Sequence, residues 1–525
     1  MTRALLASSV LLPGLLATLV GCMTTAEDDA NIGSGGGGGA GAFGGSGGGG
    51  GGGNQEPTNA DVAEGSRAGG HQKEKPETAK SEVDSELVAC KNDVGFDTFY
   101  MSADDSNSMA SPVLAREMLR ASLAPPAARI RTYEFLNYYN AHYEQPPAGT
   151  LGVHVEMQDA KLSPTVPDSR YRLQIGVQAP QIERAPLVVT FVVDASSSLI
   201  GQGIERERAT LLALGHALEQ GDVVNVVTWA NENSVLLEGY EATGTEADDA
   251  KLAEVVNALA PGGGSDLHAG LTRGYDLARE HFEPKGLNRV VLLSDGGANL
   301  GVVDRNAIAK AAEDAEEERI YLVGVGVGPA EGYSDALMDL VTDAGRGAYV
   351  YLDDPAEADS VFADRFDEVM NIAAHDVQIQ VDLPSYLEID EFYGEKYAPN
   401  ADQVKPQTLA PGDSMILNQS VYTTDSLNVC GLDVIMVTVS WKTALTHEER
   451  STGPLEFTMG EILHPPSPQV LKANAVIAYA EALKDGKKPA LQKAEELARG
   501  TGKELGDGDL VDIADLIVLH PAMAQ

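Results

Sequence analysis

Continuous apolar runs that alternate with helical segments fill the middle of the chain, from Pro186 to about residue 370. The runs PLVVTFVVD, NRVVLLSDGG and IYLVGVGVG show no polar alternation, which is typical of strands buried on both faces of a sheet. Segments with helical apolar spacing, such as IERERATLLALGHAL, lie between them. Strands that alternate with helices form parallel βαβ units. The pattern therefore predicts an α/β fold with an open, doubly wound, mostly parallel sheet of the Rossmann-like type.

The regions on either side of this sheet have a different pattern. Two helical segments and two alternating runs, LGVHVEMQ and YRLQIGVQ, come before it, and we expect Ser111 to cap the first helix with Pro112 in its first turn. After Ala373 the runs DVQIQVDLP and DVIMVTVSWKT alternate like sandwich strands, and the chain ends in helical segments. We expect the two flanks to pack together as one β-rich module with helices. The predicted folded regions are 87–185, 186–373 and 374–525.

The N-terminus is predicted to be a targeting signal. An apolar run from Ala4 to Val20 is short for a membrane span and ends in Gly21-Cys22. A small residue before a cysteine at this point resembles a bacterial lipoprotein signal, with 1–21 as the signal peptide and Cys22 as the lipidated residue. An ordinary secretory signal and a buried apolar helix are the alternatives. Met23 follows, so no aspartate retention signal is present, and by resemblance to enterobacterial sorting this favours the outer membrane of a Gram-negative bacterium.

The amino-acid composition of the segment after the predicted signal differs from that of the rest of the chain. Residues 22–86 are rich in glycine and polar residues, which have little to bury, so we expect a disordered tether.

The chain of 525 residues has 37 basic and 79 acidic residues, a formal net charge of −42. Nucleic acid and an anionic membrane surface both require a basic face, so neither is an expected partner. Contact with the membrane is expected through the lipid anchor only.

Two cysteines remain after the signal, Cys90 and Cys430. An exported chain with an even number of cysteines can form a disulfide, so a bridge between these two is predicted. Two separate thiols, buried or free, are the alternative.

Hydroxyl and carboxylate side chains follow several of the predicted strands. Asp194 ends the first strand and is followed by Ser196 and Ser198, the loop PGGGSDLHAG offers Ser265, and a later strand ends in Asp295. In a doubly wound sheet, ligands bind beyond the carboxyl ends of the strands, where these five residues are expected to converge. Hard oxygen ligands of this kind suit Mg²⁺ with an open coordination position. The sequence does not distinguish Mg²⁺ from Mn²⁺ or Ca²⁺.

This set of residues resembles the metal-ion-dependent adhesion site of the von Willebrand factor type A domain, whose motif is D-x-S-x-S, a loop threonine and a strand-end aspartate. Ser265 stands where the family usually has threonine, and Ser197 replaces a glycine common within the motif, so the loop loses some backbone freedom. The resemblance implies that the hydroxyls bind metal directly and that the carboxylate of a protein partner completes the metal shell. The flanks, including Glu134 and Asn137 in YEFLNYYN, resemble those of bacterial lipoproteins of the YfbK family.

A second D-x-S-x-S pattern occurs at Asp104, Ser106 and Ser108. No βαβ pattern surrounds it, and no loop hydroxyl or strand-end aspartate follows at a suitable distance before Pro186. Asp, Ser and Asn commonly satisfy the free N–H groups of a helix start. This copy is therefore interpreted as a strand-to-helix turn, and one metal site is predicted.

Together these features predict a lipid-anchored cell-envelope protein whose type A domain binds a divalent cation and, through it, a protein partner. The chain has no P-loop, no H-E-x-x-H motif and no G-x-S-x-G elbow, so no catalytic or organic-cofactor site and no enzymatic activity are expected. The alternative function is a structural or assembly scaffold of the envelope, in which the type A domain is a spacer and the metal only stabilises it.

Overall fold

The computed structural model of the chain describes residues 94–159, 171–316, 318–424 and 429–524. All of them belong to one unit of the chain that spans residues 79–525. The predicted signal peptide, the lipidation site Cys22, the tether and Cys90 lie outside the described residues and stay predictions. Within the described residues, no helix combines the length and the apolar character that a bilayer crossing requires.

In chain order, the strands are β1 (Phe96–Ser102), β2 (Gly152–Asp159), β3 (Tyr171–Gln178), β4 (Leu187–Asp194), β5 (Val223–Trp229), β6 (Asn233–Glu241), β7 (Leu287–Ser294), β8 (Tyr321–Gly326), β9 (Tyr349–Tyr351), β10 (Ala374–Pro384), β11 (Leu387–Phe392), β12 (Lys396–Ala398), β13 (Gln407–Leu409), β14 (Ser414–Thr423), β15 (Val434–Thr443), β16 (Glu449–Ser451) and β17 (Leu455–Thr458). The α-helices are α1 (Ala110–Arg120), α2 (Thr132–Tyr138), α3 (Gln202–Ala217), α4 (Glu246–Ala258), α5 (Leu267–Glu280), α6 (Arg305–Glu316), α7 (Asp335–Gly345), α8 (Pro355–Asp359), α9 (Phe366–Met370), α10 (Met459–Ile462), α11 (Pro468–Asp485), α12 (Lys488–Leu505) and α13 (Gly508–Val518).

The α/β region forms a six-stranded sheet in the order β6-β5-β4-β7-β8-β9. Neighbouring strands are parallel except for β5 and β6, which are antiparallel. Alternate side chains of β4 pack into cores on opposite faces of the sheet. Phe191 of β4 lies in the same core as Val291 of β7, and Val192 of β4 lies in the other core with Tyr275 of α5. Every residue of β4, β7 and β8 is buried, which explains their continuous apolar runs. The predicted open, mostly parallel α/β sheet is confirmed.

The flanks form two further sheets, whose main strand orders are β12-β1-β10-β15-β16 and β11-β14-β3-β2. Strand β1 comes before the α/β region and pairs with β10, which comes after it; β3 and β14 pair in the same way. Inward-facing side chains of both sheets, among them Met101, Ile175, Ile379 and Leu417, share one core. The prediction that the two flanks pack together as one β-rich module is confirmed.

Helices of both flanks also share a core. Residues of α1 and α2 pack with α11, α12 and α13, and the rings of Phe135 and Tyr479 meet edge to face with 5.3 Å between their centroids. Elsewhere in the module, Cys430 is buried and disulfide-bonded. Because Cys90 lies outside the described residues, the predicted pairing of the two cysteines stays a prediction.

The predicted cap of the first helix is wrong. Ser111 lies inside α1, and Met109 occupies the position before the helix without a side-chain capping bond. The N–H of Ser111 donates instead to the carboxylate of Glu134 at 2.7 Å, and Pro112 does occupy the first turn. Since the start of α1 is buried, its free N–H group is satisfied by a tertiary neighbour and not by a local side chain.

Candidate metal centre

The first three predicted site residues, Asp194, Ser196 and Ser198, lie at the end of β4 and in the loop that follows it. Asp194 is the last residue of the strand, and a 3₁₀ turn over Ser197–Leu199 leads toward α3. Gly201 follows with a φ of 105°, a conformation that glycine adopts without strain, and it lets the chain enter the helix. Ser196 is buried and Ser198 is exposed, and their hydroxyl oxygens lie 3.0 Å apart. The motif therefore folds into a tight loop with two neighbouring hydroxyls.

The carboxylate of Asp194 is fully buried at the base of this loop. It accepts hydrogen bonds from the Ser196 N–H at 2.9 Å and from the Ser294 hydroxyl at 2.8 Å. Burial raises the pKa of Asp194 to about 7 against the opposite effect of Ser196, and the negative charge of Asp295 adds to the rise. A divalent cation beside these carboxylates would favour their ionised forms.

The remaining two residues face a common space. Ser265 is buried, and its N–H donates to the side-chain oxygen of Asn299 at 2.9 Å. Asp295 follows β7, and its Oδ1 accepts a hydrogen bond from the Gly297 N–H at 2.8 Å. A Cβ atom at Gly297 would lie 2.8 Å from Asp295 Oδ1 and 3.7 Å from Ser265 Oγ. Glycine at this position therefore keeps open a small space that both oxygens border.

Hydrogen bonds join the β4 loop to the loop that carries Ser265. The N–H and the hydroxyl of Ser197 both donate to the carbonyl oxygen of Gly263, at 3.2 Å and 2.8 Å. Ser197 is not among the residues with positive φ, so serine is tolerated where the family commonly has glycine, and its hydroxyl adds a contact that glycine lacks. All five predicted residues, Asp194, Ser196, Ser198, Ser265 and Asp295, are thus gathered at one end of the sheet.

Sequence reasoning missed Glu207, on α3. Its side chain is fully buried, and apart from a weak contact with the backbone N–H of Asp194 its carboxylate oxygens have no hydrogen-bond partner among the described residues. Burial raises the pKa of Glu207 well above its usual range, and the charges of Asp194 and Asp295 raise it further. Ile204 stands three residues before it and Leu211 four residues after it, and both are buried, so the helical spacing alone would have placed this glutamate on the buried face.

The residues present fit a hard divalent cation. The buried carboxylates of Asp194 and Glu207 both have raised pKa values, and the charge of Asp295 contributes to both rises. A counter-ion would let these groups be ionised together. Oxygen donors are the ligands that Mg²⁺ and Ca²⁺ prefer. The hydroxyls of Ser196, Ser198 and Ser265 and the carboxylates of Asp194 and Asp295 would hold the ion.

The second D-x-S-x-S copy forms the turn between β1 and α1, as interpreted from the sequence. Asp104 accepts the N–H groups of Ser106 at 3.3 Å and Ser108 at 2.6 Å. Its carboxylate lies in a cluster with those of Asp105 and Glu395, with ligand atoms within 4.8 Å of one another, an arrangement that could hold a metal ion. The ammonium group of Lys405 pairs with Asp105 at 2.6 Å and already supplies a positive charge to this cluster. A single metal site, at Asp194, stays the prediction.

Comparison with known proteins agrees with this architecture. Residues 189–364 match the von Willebrand factor type A domain. YfbK of Escherichia coli (strain K12) is 23% identical over 411 residues, which cover 72% of this chain and 70% of YfbK. The inter-alpha-trypsin inhibitor heavy chain H1 of Sus scrofa is 27% identical over 218 residues, which cover 40% of this chain and only 23% of the heavy chain.

Among solved structures, a von Willebrand factor type A protein from Catenulispora acidiphila matches with a TM-score of 0.45 and 16% identity, over 70% of this chain and 90% of that chain. The family match covers the strands and loops that carry the metal centre, and the match to YfbK extends into the flanks. The chain therefore contains a von Willebrand factor type A domain over residues 189–364, and it is similar to YfbK across that domain and its flanks.

Proposed function

We propose that this protein is a lipid-anchored binding protein of the cell envelope, whose type A domain holds a divalent cation and uses it to bind a protein partner. Type A domains mediate protein–protein interactions and commonly bind a divalent metal ion at this end of the sheet. The observation that carries the proposal is the convergence of the five oxygen-bearing residues of the metal centre at one end of the sheet, with the buried carboxylate of Glu207 close to Asp194 and Asp295. An acidic residue of the partner would complete the metal shell.

Location is proposed from the N-terminal sequence. The apolar run that ends in Gly21-Cys22 supports lipidation of Cys22, and the absence of an aspartate after it supports the outer membrane of a Gram-negative bacterium. We propose no enzymatic activity, because the hydroxyls and carboxylates of the metal centre suit ion binding and the sequence carries none of the catalytic motifs considered above.

Calorimetric titration with Mg²⁺ and Mn²⁺ tests the metal step. Saturable binding to one site is expected, and Asp194→Ala should abolish it because Asp194 is an expected ligand and its carboxylate also holds the backbone of Ser196 in place. Asp105→Ala is the matched control, since Asp105 is also buried and belongs to the look-alike cluster. Equal loss in both variants, or unchanged binding in Asp194→Ala, would contradict the assignment of the ion to this centre.

The scaffold function differs in its response to chelation. A metal-dependent binding protein releases its partner when EDTA is added, and Asp194→Ala should fail to capture it. A scaffold in which the metal only stabilises the type A domain keeps its contacts in EDTA and loses only melting temperature. Pull-down with and without EDTA, together with thermal melting of the same samples, separates the two.

A further inference from the structure

We propose that exposed aliphatic side chains beside the metal centre form a second contact, which selects a partner segment whose carboxylate is flanked by large apolar residues. The inference rests on the proposed function, because the carboxylate is bound by the cation. The aliphatic rim, as we name it, consists of Ile200, Leu300, Val302 and Val303, whose exposed fractions are 65%, 40%, 38% and 54%.

The rim is concentrated where the metal centre lies. Among the described residues of the type A domain, Leu212 is the only other large apolar side chain that is exposed to this degree. Single exposed apolar residues are normal on a protein surface, whereas a group of them marks an interaction site. Four such residues in the two loops that follow Ser198 and Asp295 therefore indicate a binding surface at this end of the sheet.

Both loops of the rim contact the loop that carries Ser265. The Ile200 N–H donates to the carbonyl oxygen of Ser197 at 3.4 Å, and Ser197 is bonded to Gly263. On the other side, a Cβ atom at Gly264 would lie 2.5 Å from Leu300 Cδ1, so the leucine packs directly over this glycine. Ile200 and Leu300 thus lie beside the loop that carries Ser265, and Val302 and Val303 follow Leu300 in the same segment.

Hydrogen bonds hold the second loop in place, so its apolar exposure belongs to the folded structure. The backbone N–H groups of Asn299 and Leu300 both donate to the carbonyl oxygen of Ser265 at 3.0 Å. The side chain of Asn299 returns a bond to the Ser265 N–H at 2.9 Å. A rigid apolar surface binds with less loss of conformational freedom than a mobile one.

The negative net charge of the protein limits which partner segments can bind beside the metal centre. The net charge of −42 repels an acidic partner at long range and also an anionic membrane. A carboxylate is attracted only at the bound cation, and the uncharged rim adds attraction on either side of it without further repulsion. One acidic side chain between large apolar side chains, presented by a protein segment, matches both features.

The test uses the full chain in Mn²⁺ and nine-residue fluorescent peptides with one central aspartate, flanked by either leucines or serines. Fluorescence anisotropy should show the leucine-flanked peptide binding roughly tenfold more tightly, because its side chains bury part of the rim. Combined Ile200→Ser and Val303→Ser substitutions should reduce this preference to about twofold while leaving Mn²⁺ affinity unchanged. Val518→Ser is the matched control, because Val518 lies on α13 and is 50% exposed.

The outcomes separate the two proposals. Equal, Mn²⁺-dependent binding of both peptides would overturn the aliphatic rim and leave the proposed function intact. The same conclusion would follow if Val518→Ser reduced the preference for the leucine-flanked peptide as much as the rim substitutions do. Binding of neither peptide, or binding that survives EDTA or the replacement of the central aspartate by asparagine, would overturn the proposed function and the inference with it. Association of the chain with itself, lost in the rim variant, would assign the rim to a second copy and overturn the peptide specificity.

Discussion

Glu117 connects the N-terminal flank to the type A domain, and its removal makes the sharpest test of how that flank supports the metal centre. Its carboxylate on α1 pairs with the guanidinium of Arg206 on α3 at 2.9 Å. The Arg206 side chain is only 3% exposed and also donates to the carbonyl oxygens of Gly328 at 2.8 Å and Asp353 at 2.6 Å. Glu117→Ala would leave this buried cation without the one carboxylate that pairs with it among the described residues.

The expected cost follows from the burial of the pair. Removing one partner of a buried ion pair destabilises a protein by about 3–5 kcal/mol. Because the Glu117 side chain is 19% exposed, we expect the lower end of that range, about 3 kcal/mol for Glu117→Ala. Glu117→Gln keeps an oxygen acceptor and should cost about 1–2 kcal/mol.

The same substitution should weaken the metal centre at a distance. Gly328 packs against Asp295, since a Cβ atom at Gly328 would lie 2.5 Å from Asp295 Cβ. If Arg206 shifts, the loop that supports Asp295 shifts with it, and losses of outer-shell support commonly lower metal affinity by roughly tenfold or more. We therefore expect roughly tenfold weaker Mn²⁺ binding in Glu117→Ala.

Urea unfolding gives the stability change, and calorimetric titration gives the Mn²⁺ affinity. Ile379→Ala, in the fully buried core of the β-rich module, should cost a similar 2–5 kcal/mol and leave Mn²⁺ affinity unchanged. A cost below about 1 kcal/mol for Glu117→Ala would refute the buried-pair reasoning. Equal Mn²⁺ affinity in Glu117→Ala and Ile379→Ala would refute the coupling to Asp295.

Three further predictions concern the pH dependence of stability, the Ser197 hydrogen bond and the disulfide of Cys430. Burial raises the pKa of Glu134 and of Asp413 to about 7, so the folded state takes up protons that the unfolded chain binds only near pH 4. Stability in EDTA should therefore rise as pH falls from 8 to 5; thermal melting checks this, and Asp413→Asn should flatten the dependence. Ser197→Gly should lower the free energy of unfolding by about 1–2 kcal/mol, because it removes the bond to Gly263 and adds backbone freedom, and an unchanged urea midpoint would speak against that contact. Cys430→Ser should cost about 2–5 kcal/mol by urea unfolding under oxidising conditions, and peptide mapping without reductant should recover a Cys90–Cys430 bridge; recovery of Cys90 as a free thiol would contradict the pairing.

The amino-acid sequence determined the α/β sheet and all five candidate metal ligands. The central strands β4, β7 and β8 are buried, largely apolar runs, and Asp194 and Asp295 stand at the ends of two of them. Because parallel strands place their carboxyl ends at one edge, local positions were enough to predict that these side chains meet. The buried position of Glu207 was available from the same kind of signal, the spacing of apolar residues along α3.

Only the tertiary structure decided which distant groups support these elements. Glu134 caps α1 through Ser111 from 23 residues away, and Glu117 reaches Arg206 across 89 residues. The backbone N–H of Asp105 donates to the carboxylate of Glu395, which is 290 residues away in the chain. This contact makes the second D-x-S-x-S copy part of an acidic cluster and not an isolated turn. Such contacts are made because buried charges and free N–H groups must find partners wherever the packed chain offers them, and no local spacing in the sequence records that choice.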